Sequence, residues 1–402
     1  MDLSYSPDYQ AFRREVREFL ERNRDRAPAS NIALRMGEKD PKTLEWQRIL
    51  IEHGYAARII PREYGGYGAR PDLLERIIID EEFNRAGLSR GIGGQGPDML
   101  VPTLLEHGSE EQKRAWIGPT IRGQVVWCQG YSEPNAGSDL ANVQTRGIDD
   151  GDDFVINGQK IWTTTAHLAE MMFALVRTEL GASKHAGLSY LLIPMDTPGI
   201  EIRPLKTMTG QSEFNEVFLT DVRVPQANVV GRRGEGWKIA NTTLKHERNM
   251  LASSALLEGV FGGLVALMQQ ETSTGVRPIE SAVLRDRLLR LQARVLCMKY
   301  HSLRMLTCNL KGESTGVAGL VTKLTGCELS HQIAALAIDA LGELGALYEG
   351  SKYLRSGGMW QFQYMFSLGL IIGGGTAQIQ KNIISERGLS MPREPRWEKG
   401  RD

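Results

Sequence analysis

Phe154-Val155-Ile156-Asn157-Gly158-Gln159-Lys160-Ile161-Trp162-Thr163-Thr164 is the stretch on which the reading of the fold turns. β-Branched and aromatic residues flank an Asn-Gly step, a strong local signal for a hairpin. The spacing predicts two strands joined at Asn157-Gly158, with Trp162-Thr163-Thr164-Thr165 ending the second. Outward from it, residues 171–176, 188–193, 200–202 and 217–224 read as further strands, and Asp196-Thr197-Pro198-Gly199 as a turn. This β zone runs from about Gln124 to Gly231.

On both sides the period becomes helical. Phe12, Val16, Phe19 and Leu20 recur at three- and four-residue steps, and residues 44–51 and 73–83 repeat the habit. Pro61-Arg62-Glu63-Tyr64-Gly65-Gly66-Tyr67-Gly68 is a loop. After Gly234, Leu284, Leu288, Leu291 and Val295 form one stripe, and Ile333, Ala337, Ala340 and Leu341 another. A helix–β–helix layout follows, with domains expected at 1–123, 124–232 and 233–402.

The 402 residues exceed what one small core needs. Lysine plus arginine number 48, as do aspartate plus glutamate. That balance argues against a nucleic-acid binder, which is usually basic. Cys128, Cys297, Cys308 and Cys327 form no CxxC, and the histidines no HxxxH, so no metal site or disulfide framework is expected. The longest apolar run, 255–268, is interrupted by Glu258 and is too short to cross a bilayer. The start lacks the order of a signal peptide. The expectation is a cytoplasmic protein without membrane insertion.

Several segments can carry chemistry. The GxGxxG at Gly91–Gly96 follows a helical run rather than a strand, so it reads as a flexible loop. Tyr131-Ser132-Glu133-Pro134-Asn135-Ala136-Gly137-Ser138-Asp139 combines turn formers with hydroxyls. It can hold a ring edge or a phosphate, or be a plain surface turn. Trp162 can shield a flat ligand or sit half-buried on the sheet. Projected onto a helix, Glu247 falls on the apolar side with Trp237, Ala240, Leu244, Leu251 and Ala255, and Arg248 lies at its margin. A carboxylate there is costly unless it is paired or its pKa rises. A raised pKa suits a general base, and an ion pair fits the pattern equally. Gly373-Gly374-Gly375 permits close backbone approach, and Thr376 can cap the next helix.

Four segments in order resemble the acyl-CoA dehydrogenase family over nearly the whole chain. They are Ile60-Pro61-Arg62-Glu63-Tyr64-Gly65-Gly66, Ser132–Asp139, Ile156–Thr164 and Gly375-Thr376-Ala377-Gln378-Ile379-Gln380-Lys381-Asn382. The resemblance implies a mainly α fold: an N-terminal helical domain, a middle β-barrel domain and a C-terminal four-helix bundle that drives tetramer assembly. It implies FAD and the oxidation of an acyl-CoA to the trans-2-enoyl-CoA. A glutamate takes the α proton, a hydride leaves the β carbon for flavin N5, and an electron-transferring flavoprotein receives the electrons. By position, Ser132 and the backbone around Tyr131 meet the flavin ring. Trp162 covers one face, Thr163 belongs to the same cofactor-binding run, and Thr164 reaches N5. Ser138 meets flavin or the CoA arm, Thr376 and Gln378 the phosphate and adenosine end of FAD, and Arg248 the CoA. Arg277 is the candidate for completing a neighbouring subunit's FAD site.

Departures from the family pattern refine this. Many members carry the base at the position of Gly374, which cannot abstract a proton. A smaller set, resembling isovaleryl-CoA and long-chain enzymes, places it where Glu247 stands. Gly374 retains the backbone N–H that activates the thioester carbonyl in relatives. Three adjacent glycines suggest a bulky, branched or steroid-type acyl group. Homotetramer and α2β2 heterotetramer both remain open. Asp339 stands near where relatives often have a glutamine that meets FAD, which puts the partner-side contact in doubt. Rival readings are an acyl-CoA oxidase and a non-catalytic partner subunit.

Overall fold

The computed structural model describes residues 5–28, 39–251, 254–272 and 275–393. The chain divides into two compact units, Met1–Glu247 and Arg248–Asp402.

The first unit opens with helices α1 (Pro7–Arg22), α2 (Pro41–Glu52), α3 (Leu73–Ala86), α4 (Val101–His107) and α5 (Glu110–Ile121). Their starts are chemically marked. Asp40 accepts from the Thr43 amide, and Asp72 from those of Leu74 and Glu75. Ser109 and Gln112 form a reciprocal capping box. Val16, Phe19 and Leu20 of α1 pack with Trp46, Ile49 and Leu50 of α2 and Ile78, Ile79 and Phe83 of α3. Glu82 is buried beside them and is tolerated because Arg13 and Arg17 reach it at 2.9 and 3.1 Å. The glycine-rich run after α3 enters a π-helical turn, Gln95–Leu100. A Cβ on Gly96 would lie 2.9 Å from Trp127 Cδ1, so close packing requires that glycine.

The sheet comprises β1 (Trp127–Gly130), β2 (Arg146–Asp150), β3 (Asp153–Thr164), β4 (Met171–Arg177), β5 (Leu188–Pro194), β6 (Ile200–Leu205), β7 (Phe214–Pro225) and β8 (Val229–Val230). Its order is β6-β7-β3-β2-β4-β5-β8, with β1 parallel to β4. Among the described residues no pairing joins β6 to β8, so the expected barrel is an open sheet. Strand β4 alternates between two cores. Phe173 and Leu175 face one, while Met172, Ala174 and Val176 face the other. That double burial accounts for its unbroken apolar sequence.

The hairpin expected at Asn157-Gly158 is not there. Both residues lie inside β3, and the reversal falls at Gly151, with Asp150 opposite Asp153. Gly151 takes the left-handed φ of +67°. Asn157 instead crosses to β7. Its Nδ2 donates to Asp221 Oδ1 at 3.0 Å, and its Oδ1 accepts from the Asp221 amide at 3.0 Å. At Gly158 a Cβ would stand 2.7 Å from Thr145 Cα. A local turn preference has yielded to long-range pairing, and the glycine serves close approach.

A bulge near the end of β3 positions a site residue. Lys160 pairs with Val217 and Thr163 with Asn215, so β3 spends three steps where β7 spends two. The extra residue falls at Ile161–Trp162, and Trp162 has φ +59°. After β8, helix α6 (Gly236–Leu251) brings Ile239 and Ala240 into the core that holds Phe173 and Tyr190, with Trp237 and Leu244 at its edge.

The second unit contains α7 (Ser254–Met268), α8 (Ala282–Leu310), α9 (Gly316–Leu341), α10 (Met359–Ile372) and α11 (Ala377–Ile383). The two stripes read from sequence meet here. Leu288, Leu291 and Val295 share one core with Ile333, Ala337, Ala340 and Leu341, joined by Leu264 and Trp360. No described helix is long and apolar enough to cross a membrane.

Candidate functional site

In the first unit, the loop after β1 is fastened to β3 by a buried charge pair. Lys160 Nζ donates to Glu133 Oε1 at 2.8 Å, to the Leu175 carbonyl at 2.7 Å and to the Tyr131 carbonyl at 3.3 Å. Glu133 also accepts from the amides of Gln144 and Thr145. Burial pushes the Glu133 carboxyl up, but the Lys160 charge and these donors outweigh it, holding the group below the usual range. Burial also pulls the Lys160 ammonium down, against the attraction of Glu133. Glu133 and Ala136 close the loop by exchanging backbone bonds at 3.1 and 3.0 Å.

This fastening brings several expected site residues together. The Ile161 amide donates to the Ser132 carbonyl at 2.9 Å, so Ser132 is fixed one residue from Trp162. The bulge turns the Trp162 indole outward, 58% exposed, with Phe214 edge-on at 6.1 Å. Thr163 is fully buried, and its Oγ1 has no hydrogen-bond partner among the described residues. Thr164 is half-buried and Ser138 exposed. The Tyr131 side chain is 4% exposed and packs edge-on against Phe173 and Tyr190, so only its backbone faces the loop. An exposed indole beside a pinned hydroxyl loop, with an orphaned threonine oxygen in the same strand end, fits an aromatic ring system with polar edges.

Glu247 stands on α6 in line with Ala240 and Leu244, as the helical projection anticipated, and with Thr243, which the projection did not include. Ala255, also projected onto that stripe, is instead exposed and belongs to the next helix, α7, and the Leu251 side chain lies outside the described residues. Ala240 and Thr243 are buried, and Leu244 and Glu247 half-buried. The helix is pinned by Thr243 Oγ1 to Thr103 Oγ1 at 2.9 Å and by Thr242 Oγ1 to His107 Nε2 at 2.9 Å. From β1, Gln129 Nε2 donates to Glu247 Oε2 at 3.4 Å. The Arg248 side chain lies outside the described residues.

The second unit holds the glycine-rich segment. Gly374 and Gly375 take φ of +64° and +95°. Lys323 of α9 donates to the Gly375 carbonyl at 2.7 Å and to that of Ile371 at 3.1 Å. Gln380 Nε2 donates to the Gly374 carbonyl at 3.1 Å, and Thr376 caps α11 through the Ile379 amide. Gln378 is exposed. Arg277 is exposed and pairs with Glu280. Asp339 is engaged by Arg287 at 2.6 Å, so this acid is neutralised locally.

Sequence reasoning passed over Gln129, Glu133 as an anchor, and Lys160. A lysine at an inward period-two position among Phe154 and Ile156 was the available signal, since such a group must find a buried partner.

Helices, a sheet and a helical bundle in this order, with a tryptophan beside a Ser-Glu-Pro loop, are the architecture of a class of flavoproteins acting on acyl-CoA thioesters. Family models for the N-terminal, middle and C-terminal domains of acyl-CoA dehydrogenase match residues 6–124, 128–222 and 234–389. The chain belongs to the acyl-CoA dehydrogenase family. It is 36% identical to acyl-CoA dehydrogenase IpdE1 of Mycolicibacterium smegmatis, over 96% of this chain and 99% of that protein. Among solved structures it resembles the ChsE4-ChsE5 complex from Mycobacterium tuberculosis, with TM-score 0.80 and 31% identity over 98% of this chain and 100% of that one. The Tcur3481-Tcur3483 steroid ACAD gives TM-score 0.80 and 29% identity over the same shares.

Proposed function

We propose that this protein is an FAD-dependent acyl-CoA dehydrogenase in which Glu247 abstracts the α proton of a bulky, branched or steroid-type acyl-CoA. The carrying observation is Glu247 itself, a half-buried carboxylate on an apolar helical stripe in a chain whose other family position for a base is Gly374. When bound, the flavin supplies the acceptor for the β hydride. Ser132, the Tyr131 backbone, Trp162, Thr163 and Thr164 hold its ring, and Thr376 and Gln378 its phosphate and adenosine end. Ser138 serves the flavin or the CoA arm, and Arg248 the CoA. The N–H of Gly374 donates to the thioester oxygen and stabilises the charge that develops as the proton leaves. Arg277 serves a neighbouring subunit's cofactor. The domain limits 1–123, 124–232 and 233–402 belong to the same reading.

The name of the Tcur3481-Tcur3483 steroid ACAD supports the bulky acyl group, and the paired proteins in that name and in the ChsE4-ChsE5 complex support a heteromeric tetramer beside the homomeric one. The electron acceptor is an electron-transferring flavoprotein, and the enzyme is cytoplasmic.

The test is Glu247→Gln. The variant keeps the yellow flavin band and loses bleaching by a panel of straight, branched and steroidal CoA esters. Bleaching at the parent rate overturns the assignment. Peroxide release in air would convert the reading to an oxidase. A purified chain without flavin or turnover would convert it to a partner subunit.

A further inference from the structure

Strand β1 presents a polar side chain where its face calls for an apolar one. Successive side chains on a strand point to opposite faces. Cys128 lies in one core, while Trp127 lies in the other, which also holds Ile239 and Ala240 of α6. Gln129, two residues after Trp127, points to that same side and is half-buried. Its register partner on β4 is the fully buried Phe173. A leucine would suit such a position, because a buried amide is costly unless it is bonded. The Gln129 amide meets Glu247 Oε2 at 3.4 Å, from an element 118 residues away in sequence.

We infer that Gln129 is a positioning residue for the proton-abstracting carboxylate, holding the Glu247 side chain toward β1 by donating its amide N–H. This rests on the reading of Glu247 as the base. An amide suits the role because it donates to the carboxylate without adding a charge. A lysine would form an ion pair and weaken the base, and an acid would repel it. Tyr131 also faces Glu247, from the loop after β1. Burial first, then the neighbouring Tyr190, and the Glu247 charge least of all push its hydroxyl far above the usual tyrosine range. It therefore stays protonated at working pH. Lys245 is exposed on the same helix, and His246 beside it is pulled down by burial and by Lys245.

The experiment separates proton abstraction from oxidation. 3,3-Dimethylbutanoyl-CoA has α hydrogens and no β hydrogen. The holoenzyme can therefore break its Cα–H bond, form O–H on Glu247, and return deuterium from heavy water, with no electron leaving. Exchange is followed against pH by mass spectrometry. In Gln129→Leu the plateau rate falls about ten-fold with little change in the half-saturating concentration. In Gln129→Glu the acid limb moves up by about one pH unit, because a second carboxylate disfavours ionisation of the first. The flavin band reports folding, and Gln129→Met replaces either variant that fails to take up flavin. If these variants keep the parent limb and stay within about two-fold of the parent rate, the inference is overturned. Exchange persisting in Glu247→Gln overturns the assignment of the base instead.

Discussion

Lys160 Nζ stands 2.8 Å from Glu133 Oε1, and the two side chains are 0% and 7% exposed. The pair joins the Ser132 loop to the strand that carries Trp162, so the geometry of the proposed flavin site depends on a contact buried beneath it.

Removing one partner should therefore cost more than removing both. Lys160→Met leaves Glu133 buried without its cation and should destabilise by about 3–5 kcal/mol. Lys160→Met combined with Glu133→Gln should recover part of that loss. Denaturant unfolding, with flavin retention read in parallel, checks both statements.

The same pair sets an acid limit. The folded-state pKa of Glu133 is lowered, so its contribution is present above the ordinary glutamate value of 4.5 and is lost as pH falls through the lower folded value. The stability gap between the parent and Glu133→Gln should be constant at neutral pH and narrow below pH 4.5. Melting temperatures from pH 7 to 3 measure it. A gap that widens in acid would contradict the sign.

On the proposed reading, Trp162 should separate stability from cofactor binding. Its left-handed backbone costs a non-glycine residue about 1–3 kcal/mol. Trp162→Gly should leave the apoprotein as stable as the parent or more so, because an indole 58% exposed contributes little packing. Flavin should nevertheless dissociate faster. Apoprotein melting and flavin release on dilution test the two halves independently.

The glycine run should respond residue by residue. At Gly375, φ is +95° and a Cβ would stand 2.7 Å from Gln380 Nε2. Gly375→Ala should cost about 1–3 kcal/mol and disturb the carbonyl held by Lys323. Gly373 has φ −62°, and its nearest contact would be 3.4 Å. Gly373→Ala should be close to neutral. Urea midpoints distinguish them.

The sequence made some of this visible and hid the rest for physical reasons. The stripe containing Glu247 was legible because a helix writes its buried face at a fixed period within one short window. The stripes on α8 and α9 were legible for the same reason. The Asn157-Gly158 step misled because turn preference is local, whereas the bonds that decide its fate run to Asp221, 64 residues on. Gln129 and Lys160 were hidden similarly, since their partners Glu247 and Glu133 come from other elements. Family resemblance located the Ser132 loop and Trp162. It gave no account of the ion pair that fixes them.

Strand β3 is one residue longer than its neighbour β7 requires between Lys160 and Thr163. That surplus residue supplies the shelf. Deleting the codon for Ile161 would restore even pairing and return Thr163 to the same face, leaving the sheet's interior intact. If Trp162 holds the flavin as proposed, cofactor capture and sheet integrity are genetically separable at this point, and a lineage could lose the first in a single in-frame step while still producing a folded chain.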